Sequence, residues 1–288
     1  MDKDGGKEKH LRKPEWLKVR LGGGEHYGGV SGTLERGSLH TICRSGSCPN
    51  LGECWRAGTA TFMILGDICT RSCRFCAVKT GRPLPPDEEE PMRVAHAVEE
   101  MNLRHAVITS VDRDDLPDGG ASFWARVVRA VREVSPGTTL ETLVPDFKGR
   151  AEDIRTVVEA SPEVISHNIE TVERLTPEVR VQARYRRSLE VLRMMKEMGA
   201  PRTKSGIMLG LGETEDEILT TLSDMRSVGV DIVTIGQYLQ PTRNHLPVRE
   251  YVAPEMFARY KERALQMGFR FVQSGPLVRS SYHAADHV

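Results

Sequence analysis

From Ala60 onward, short apolar runs alternate with amphipathic stretches, the pattern of repeated strand-then-helix units. The expected strands are Ala60 to Gly66, His105 to Ser110, Thr138 to Val144, Glu163 to Ile169, Thr203 to Gly210 and Asp231 to Gln237. Between them, Ser188 to Gly199 puts Leu189, Leu192, Met195 and Met198 on one helical face. Glu213 to Gly229 does the same with Ile218, Leu222, Met225 and Val228, and a glycine closes each stretch as a C-cap would. Methionines at that spacing read as packing residues. A helix from Pro254 to Met267 and a short strand from Phe269 to Gln273 complete the pattern as a seventh unit. The first forty residues are Gly-rich and charged without sustained periodicity, and predict a flexible arm.

Alternation of this kind favours a parallel sheet, open or closed into a barrel, and both put chemistry at the carboxyl ends of the strands. Polar residues fall there: Asp112 to Asp115 after the second strand, His167, Asn168 and Glu170 at the fourth, Glu213 after the fifth, and Gln237, Gln240 and Arg243 after the sixth. They predict one shared rim.

Charge changes the picture by subtraction. The 288 residues carry 40 Lys plus Arg against 40 Asp plus Glu, and a chain with no basic surplus makes a poor binder of nucleic acid or of an anionic membrane. No run is long and apolar enough for a signal peptide or a bilayer span, so a cytoplasmic protein is expected.

In a reducing compartment the six cysteines are poor disulfide candidates and point to metal. They form two triplets: Cys43, Cys48 and Cys54, then Cys69, Cys73 and Cys76. The second reads C-x-x-x-C-x-x-C directly after the first expected strand. Structural zinc wants four protein ligands, and each triplet supplies three. A [4Fe–4S] cube takes one ligand per iron, so a three-thiolate loop leaves one iron open to a small chelating molecule.

The loop, with Phe75 before its last cysteine, resembles that of the radical S-adenosylmethionine (SAM) superfamily. The resemblance implies a partial (β/α)6 TIM-type barrel with N- and C-terminal extensions: an extension over residues 1–58, the barrel over 59–275 and a tail over 276–288. It also implies that the cluster's open iron binds SAM and that its cleavage yields a 5′-deoxyadenosyl radical. Gly206-Ile-Met-Leu-Gly210-Leu-Gly-Glu213 is similar to the superfamily's fifth-strand motif along the adenine. His167-Asn-Ile-Glu170 lies where ribose and methionine are usually held. Phe75, Asn168, Glu170, Gly206, Gly210, Glu213 and Gln237 are the SAM-pocket residues so implied.

The first triplet, C-x4-C-x5-C inside Leu39-His-Thr-Ile-Cys43 to Cys54-Trp55, resembles the lipoyl synthase family, as do Lys13 to Leu17, Val111 to Ala121, Glu141 to Phe147, His167 to Thr171, Lys204 to Glu213, Gln237 to His245 and the closing Arg279-Ser-Ser-Tyr-His-Ala284. Arg44-Ser45-Gly46 departs from the acidic and alanine residues common there without removing a ligand. The family resemblance implies an auxiliary [4Fe–4S] cluster on Cys43, Cys48 and Cys54, with a serine of the closing motif as fourth ligand: Ser281, or its neighbour Ser280. An alkoxide suits soft iron poorly, as a sacrificial cluster would require. The implied reaction is radical insertion of sulfur at C6 and C8 of an octanoyl chain on a lipoyl carrier domain, with Cys69, Cys73, Cys76 and Ser281 as its catalytic ligands. Implied partners are 2-oxoacid dehydrogenase E2 or glycine cleavage H protein as carrier, ferredoxin or flavodoxin as electron donor, and an iron–sulfur carrier for repair.

Two rivals remain. A radical SAM methylthiotransferase acting on tRNA would want an appended basic module, for which neither the charge nor the short tail leaves room. An iron–sulfur electron carrier or zinc module without catalysis would fill every metal position with protein ligands, which three-cysteine sites do not.

Overall fold

The structure, a computed structural model, describes residues 11–18, 25–57 and 59–288. Ten strands, β1 (His40–Thr41), β2 (Thr61–Ile64), β3 (Ile68–Cys69), β4 (Lys79–Thr80), β5 (His105–Ser110), β6 (Thr139–Leu143), β7 (Val164–Ser166), β8 (Thr203–Leu209), β9 (Ile232–Gln237) and β10 (Phe271–Ser274), occur among the described residues. Eight of them make one sheet in the order β1, β2, β5, β6, β7, β8, β9, β10. Every neighbouring pair is parallel except the first. The two outer strands do not meet, so the barrel is partial and open along one side. The six expected strands are β2 and β5 to β9, and the seventh is β10.

Ten α-helices accompany the strands among the described residues: α1 (Glu25–Arg36), α2 (Ile42–Ser45), α3 (Leu51–Arg56), α4 (Glu90–Glu100), α5 (Ala121–Val134), α6 (Ala151–Glu159), α7 (Thr176–Val179), α8 (Tyr185–Glu197), α9 (Glu215–Ser227) and α10 (Pro254–Gln266). The strand residues are buried almost without alternation, as a parallel sheet covered by helices demands. The helices cover it with one apolar stripe each: α5 buries Phe123, Trp124, Val127, Val128 and Val131, and α8 buries Leu189, Leu192 and Met195. The start of α9 is fixed by a capping box in which Thr214 and Glu217 satisfy each other's backbone N–H groups.

The flexible arm is corrected in part. Residues 1–10 and 19–24 lie outside the described residues, but residues 25–36 form α1, which packs on α3 and α4. Val30 and Leu34, one helical turn apart, are buried, and Tyr27 stacks at 5.0 Å on the fully buried Trp55. Gly28, Gly29 and Gly32 lower the intrinsic helix propensity enough to hide the pattern, and tertiary burial overrides it. Arg44, the unusual residue of the first cysteine loop, lies 4.8 Å from the Trp55 ring centre and pairs with Glu35 of α1 at 3.2 Å.

Candidate active site

The carboxyl ends of the strands surround a cavity of about 570 Å3. Cys69, Cys73 and Cys76 stand on its wall, as do Ile42, Gly46, Ser47 and Pro49 of the first cysteine loop and Arg279 and Ser280 of the tail.

The Cys69 to Cys76 loop is anchored at several points. It springs from β3, which pairs with β4 at the loop's far end. Thr70 donates to the Asp112 carbonyl from its N–H at 3.0 Å and from its hydroxyl at 2.9 Å, and His245 Nε2 lies 3.0 Å from the Cys76 carbonyl. Arg71 is 5% exposed and donates to Asp114 at 2.7 and 2.9 Å and to Asp146 at 2.6 Å, with Asp112 at 3.4 Å. One guanidinium thus ties the loop to three carboxylates, and desolvated pairs of this kind fix geometry. The N–H groups of Arg71 and Asp112 point at Cys69 Sγ from 3.4 and 3.3 Å. Burial pushes the Cys69 thiol up to about 11 and the Cys73 thiol up to about 12, and raises Cys76 as well. These are protonated thiols at neutral pH until a metal displaces the protons.

The other triplet is built on short helices. Thr41 caps α2 by accepting the Cys43 N–H at 3.2 Å. The Cys48 N–H donates to the Cys43 carbonyl at 3.0 Å, and the Cys54 N–H to the Asn50 carbonyl at 2.9 Å. Burial raises Cys48 and pushes Cys54 up to about 12, with the neighbouring cysteines adding to the rise. Among the described residues no three His, Cys, Asp or Glu side chains are gathered as a single metal ion would require. The fit of a multi-iron body rests on the chemistry of the donors: two sets of three free thiols, each set close enough for mutual electrostatic coupling.

The tail reaches this region by reversing direction after β10. Val278 donates to the Gly275 carbonyl at 3.0 Å, and the Val278 carbonyl lies so close to Gly236 of β9 that a Cβ there would collide with it. Asn50 Nδ2 donates to the Leu277 carbonyl at 2.7 Å, and Tyr282 Oη to Glu53 at 3.1 Å. Ser280 lines the cavity; Ser281, half-buried, follows it just outside the wall. Burial works against the Arg279 charge, and Cys48 and Glu170 both favour it.

Elsewhere on the wall, Asn168 donates to Glu170 at 3.1 Å and leaves its Oδ1 buried with no partner. A Cβ on Gly206 would strike Thr234 Oγ1 and stand 3.2 Å from that same Oδ1, so β8 offers bare backbone to the cavity here. Bare backbone beside an orphaned acceptor fits a flat ligand with N–H donors, such as an adenine. Burial raises the Glu170 carboxyl, which the Arg180 guanidinium and Asn168 pull back down.

Of the seven expected SAM-pocket residues, Phe75, Asn168, Glu170, Gly206 and Gln237 line the cavity; Gly210 and Glu213 do not. The Glu213 carboxylate instead accepts the N–H groups of Gly210 and, at 3.0 Å, Leu211 in its own turn. Gln237 spends its amide on the carbonyls of Leu209, Tyr238 and Glu250 and on the Val252 N–H. His167 is a satisfied buried histidine, bonded to the Val144 carbonyl and Ser188 Oγ at 2.9 Å each, and burial lowers it to about 4. Sequence reasoning missed Arg71 and Asp146. Their signal is an arginine between the first two cysteines of the loop and a rim aspartate after β6.

Residues 63–225 match the family model described as the radical SAM superfamily. Lipoyl synthase of Flavobacterium johnsoniae is 62% identical over 276 residues, covering 96% of each chain. The mitochondrial lipoyl synthase of Nematostella vectensis is 59% identical, covering 96% of this chain and 95% of that one. Among solved structures, methylornithine synthase aligns with a TM-score of 0.56 at 14% identity over 74% of this chain and 70% of that one. The hydrogenase maturase HydG of Carboxydothermus hydrogenoformans aligns with 0.58 at 12% identity over 91% and 77%. At such identities the structural likeness speaks to the fold.

Proposed function

The chain belongs to the lipoyl synthase family of radical SAM enzymes, and from that premise we propose how its residues divide the work. The activity is sulfur insertion into the octanoyl group of a lipoyl carrier protein, with SAM and [4Fe–4S] clusters as cofactors. When bound, those groups supply one-electron cleavage of SAM for hydrogen abstraction and the sulfur that enters the product.

Cys69, Cys73 and Cys76 hold the SAM-binding cluster, and Cys43, Cys48 and Cys54 hold the auxiliary one. Ser281, or Ser280 beside it, is the auxiliary cluster's fourth ligand. Phe75, Asn168, Glu170, Gly206 and Gln237 orient SAM along β8, while Gly210 and Glu213 shape the turn that ends that strand. Arg71 holds the loop rigid, and so would fix where a cluster on its three cysteines stands against the cavity. Arg279, on the cavity wall, balances the charge of Glu170 and of the Cys48 thiolate. The walls keep water and other hydrogen donors from a carbon radical.

The carrier is an E2 or H-protein domain, the reductant a ferredoxin or flavodoxin, and rebuilding is done by an iron–sulfur carrier. The proposed compartment is the cytoplasm; among the described residues no helix is long and apolar enough to cross a membrane.

One observation carries this reading. Three thiols of one triplet line a cavity that is also lined by the other triplet's loop and by the serine-bearing tail. The test is anaerobic reconstitution followed by mass spectrometry of an octanoylated carrier peptide incubated with SAM and dithionite. We expect about eight irons per chain and a gain of two sulfurs. Cys69→Ala should end 5′-deoxyadenosine formation, and Cys54→Ala should spare it while ending sulfur insertion. A stable count near four irons, or sulfur insertion by Cys54→Ala, would overturn the assignment.

A further inference from the structure

Asn50 occupies the N-cap position of α3, where an asparagine ordinarily accepts an N–H group of its own helix. It makes no such bond. The residue is 3% exposed, and its side chain donates instead to the Leu277 carbonyl, 227 residues away in sequence, at 2.7 Å. Its backbone meanwhile belongs to the auxiliary loop: the N–H is directed at Cys48, and the carbonyl accepts the Cys54 N–H at 2.9 Å. One residue therefore touches two members of the triplet and the segment that delivers Ser280 and Ser281.

The same short helix grips the segment on its far side, where Tyr282 Oη donates to Glu53 at 3.1 Å. The serine pair is thus suspended between two contacts to residues 50–53, one before it and one after. A hydroxyl on a free chain end would reach the iron at low effective concentration, and a tether on each side raises that concentration without adding any bond to the metal.

We propose that Asn50 is a positioning residue for the auxiliary site, holding the Ser280–Ser281 pair against Cys43, Cys48 and Cys54 through the Leu277 carbonyl. The inference rests on the reading that a serine completes that site. It explains why a good capping residue leaves its own helix uncapped, and it assigns the buried hydrogen bond a purpose that packing alone does not need.

The test uses the full chain carrying Asn50→Asp, which keeps the shape and removes the donor, and Asn50→Ala as a second variant. Far-UV circular dichroism verifies folding. Loss of a buried hydrogen bond biases an equilibrium by roughly five- to tenfold. In the metal-free protein, hydrogen exchange over residues 275–283 should accelerate by about that factor. In iron-loaded protein with Cys69, Cys73 and Cys76 replaced by Ala, iron loss from the auxiliary site to a chelator should quicken by a similar factor. With Ser280 and Ser281 both replaced by Ala, Asn50→Asp should add nothing further. Equal acceleration with and without the serines would mean that Asn50 supports only the cysteine loop, and would overturn the proposal, as would unchanged exchange in the tail. If replacing the serines alone leaves iron release and the auxiliary spectrum unaltered, serine ligation itself fails and the tether has no such purpose.

Discussion

Beneath the cavity, Lys204 of β8 and Glu141 of β6 meet with no exposure to solvent, Nζ standing 2.8 and 2.9 Å from the two carboxylate oxygens. Ser166 of β7 donates to Glu141 at 3.2 Å, and His287 Nδ1 stands 3.5 Å from the ammonium. Burial pushes the Glu141 carboxyl up while Lys204 pulls it back. Lys204→Met keeps the volume and strands the carboxylate, which should cost about 3 to 5 kcal/mol at neutral pH, a fall in melting temperature on the order of 10 °C. The cost has a sign in pH. Without its cation Glu141 holds a folded pKa further above its ordinary 4.5. The folded state then binds a proton that the unfolded state releases, so the penalty is small below that ordinary value and grows as pH rises toward the folded one. Lys204→Met combined with Glu141→Gln removes both charges and keeps an acceptor for Ser166, and should recover all but about 1 kcal/mol. Urea unfolding of metal-free protein at pH 5 and pH 8 reads Lys204→Met, Glu141→Gln and the double variant free of ligand linkage. A Lys204→Met cost below about 1 kcal/mol, a cost equal at the two pH values, or a double variant as unstable as the sum of the singles would refute the reasoning.

Burial depresses His167 from 6.5 to about 4, so the neutral form contributes stability that is complete above pH 6.5 and declines by about 3 kcal/mol as pH falls toward 4; His167→Gln should flatten that acid limb in urea titrations, and an unchanged limb would contradict it. Gly236→Ala sets a methyl against the Val278 carbonyl, backbone that cannot rotate away, so limited proteolysis should cut the tail faster while the barrel still melts cooperatively; an intact tail would sink this. Arg71→Met leaves the fully buried Asp146 without its nearest cation and should lower stability by about 3 kcal/mol and iron retained on the Cys69 loop by at least half, read by calorimetry and iron assay; full iron content would show that the loop holds its shape unaided.

The fold was legible because each parallel strand is apolar along its length and each covering helix carries one stripe. Those two periods survive in any single sequence, and the strand borders fall within a few residues of expectation. Helix α1 was not legible, because its three glycines argue against a helix that only Trp55 and α4 make worthwhile. The cysteines announced themselves by count and spacing. Their support did not: the carboxylates that grip Arg71 come from two separate strand ends, and nothing in the spacing of Asp112, Asp114 and Asp146 reveals that they converge. Glu213 shows the converse, a residue read as a cofactor contact that here satisfies the N–H groups of its own turn. Asn50 was passed over for a similar reason, since an asparagine before a short helix looks like an ordinary cap.

The open side of the barrel accounts for the place of the first cysteine triplet. The first triplet follows β1, the antiparallel strand at one edge of the sheet, and the serine-bearing tail follows β10 at the other. Edge strands that do not bond each other need a cover, and this chain supplies one by bringing both extensions together across the gap, where Asn50 meets Leu277 and Glu53 meets Tyr282. Two side-chain hydrogen bonds form a weaker closure than the continuous ladders on either side of it. On the assignment proposed above, a serine that would let go of iron when sulfur is withdrawn lies on such a seam, whereas the SAM-binding cluster would sit on a loop locked by the buried Arg71. On that assignment, the difference in anchoring between the two triplets would follow from which bond each is required to break.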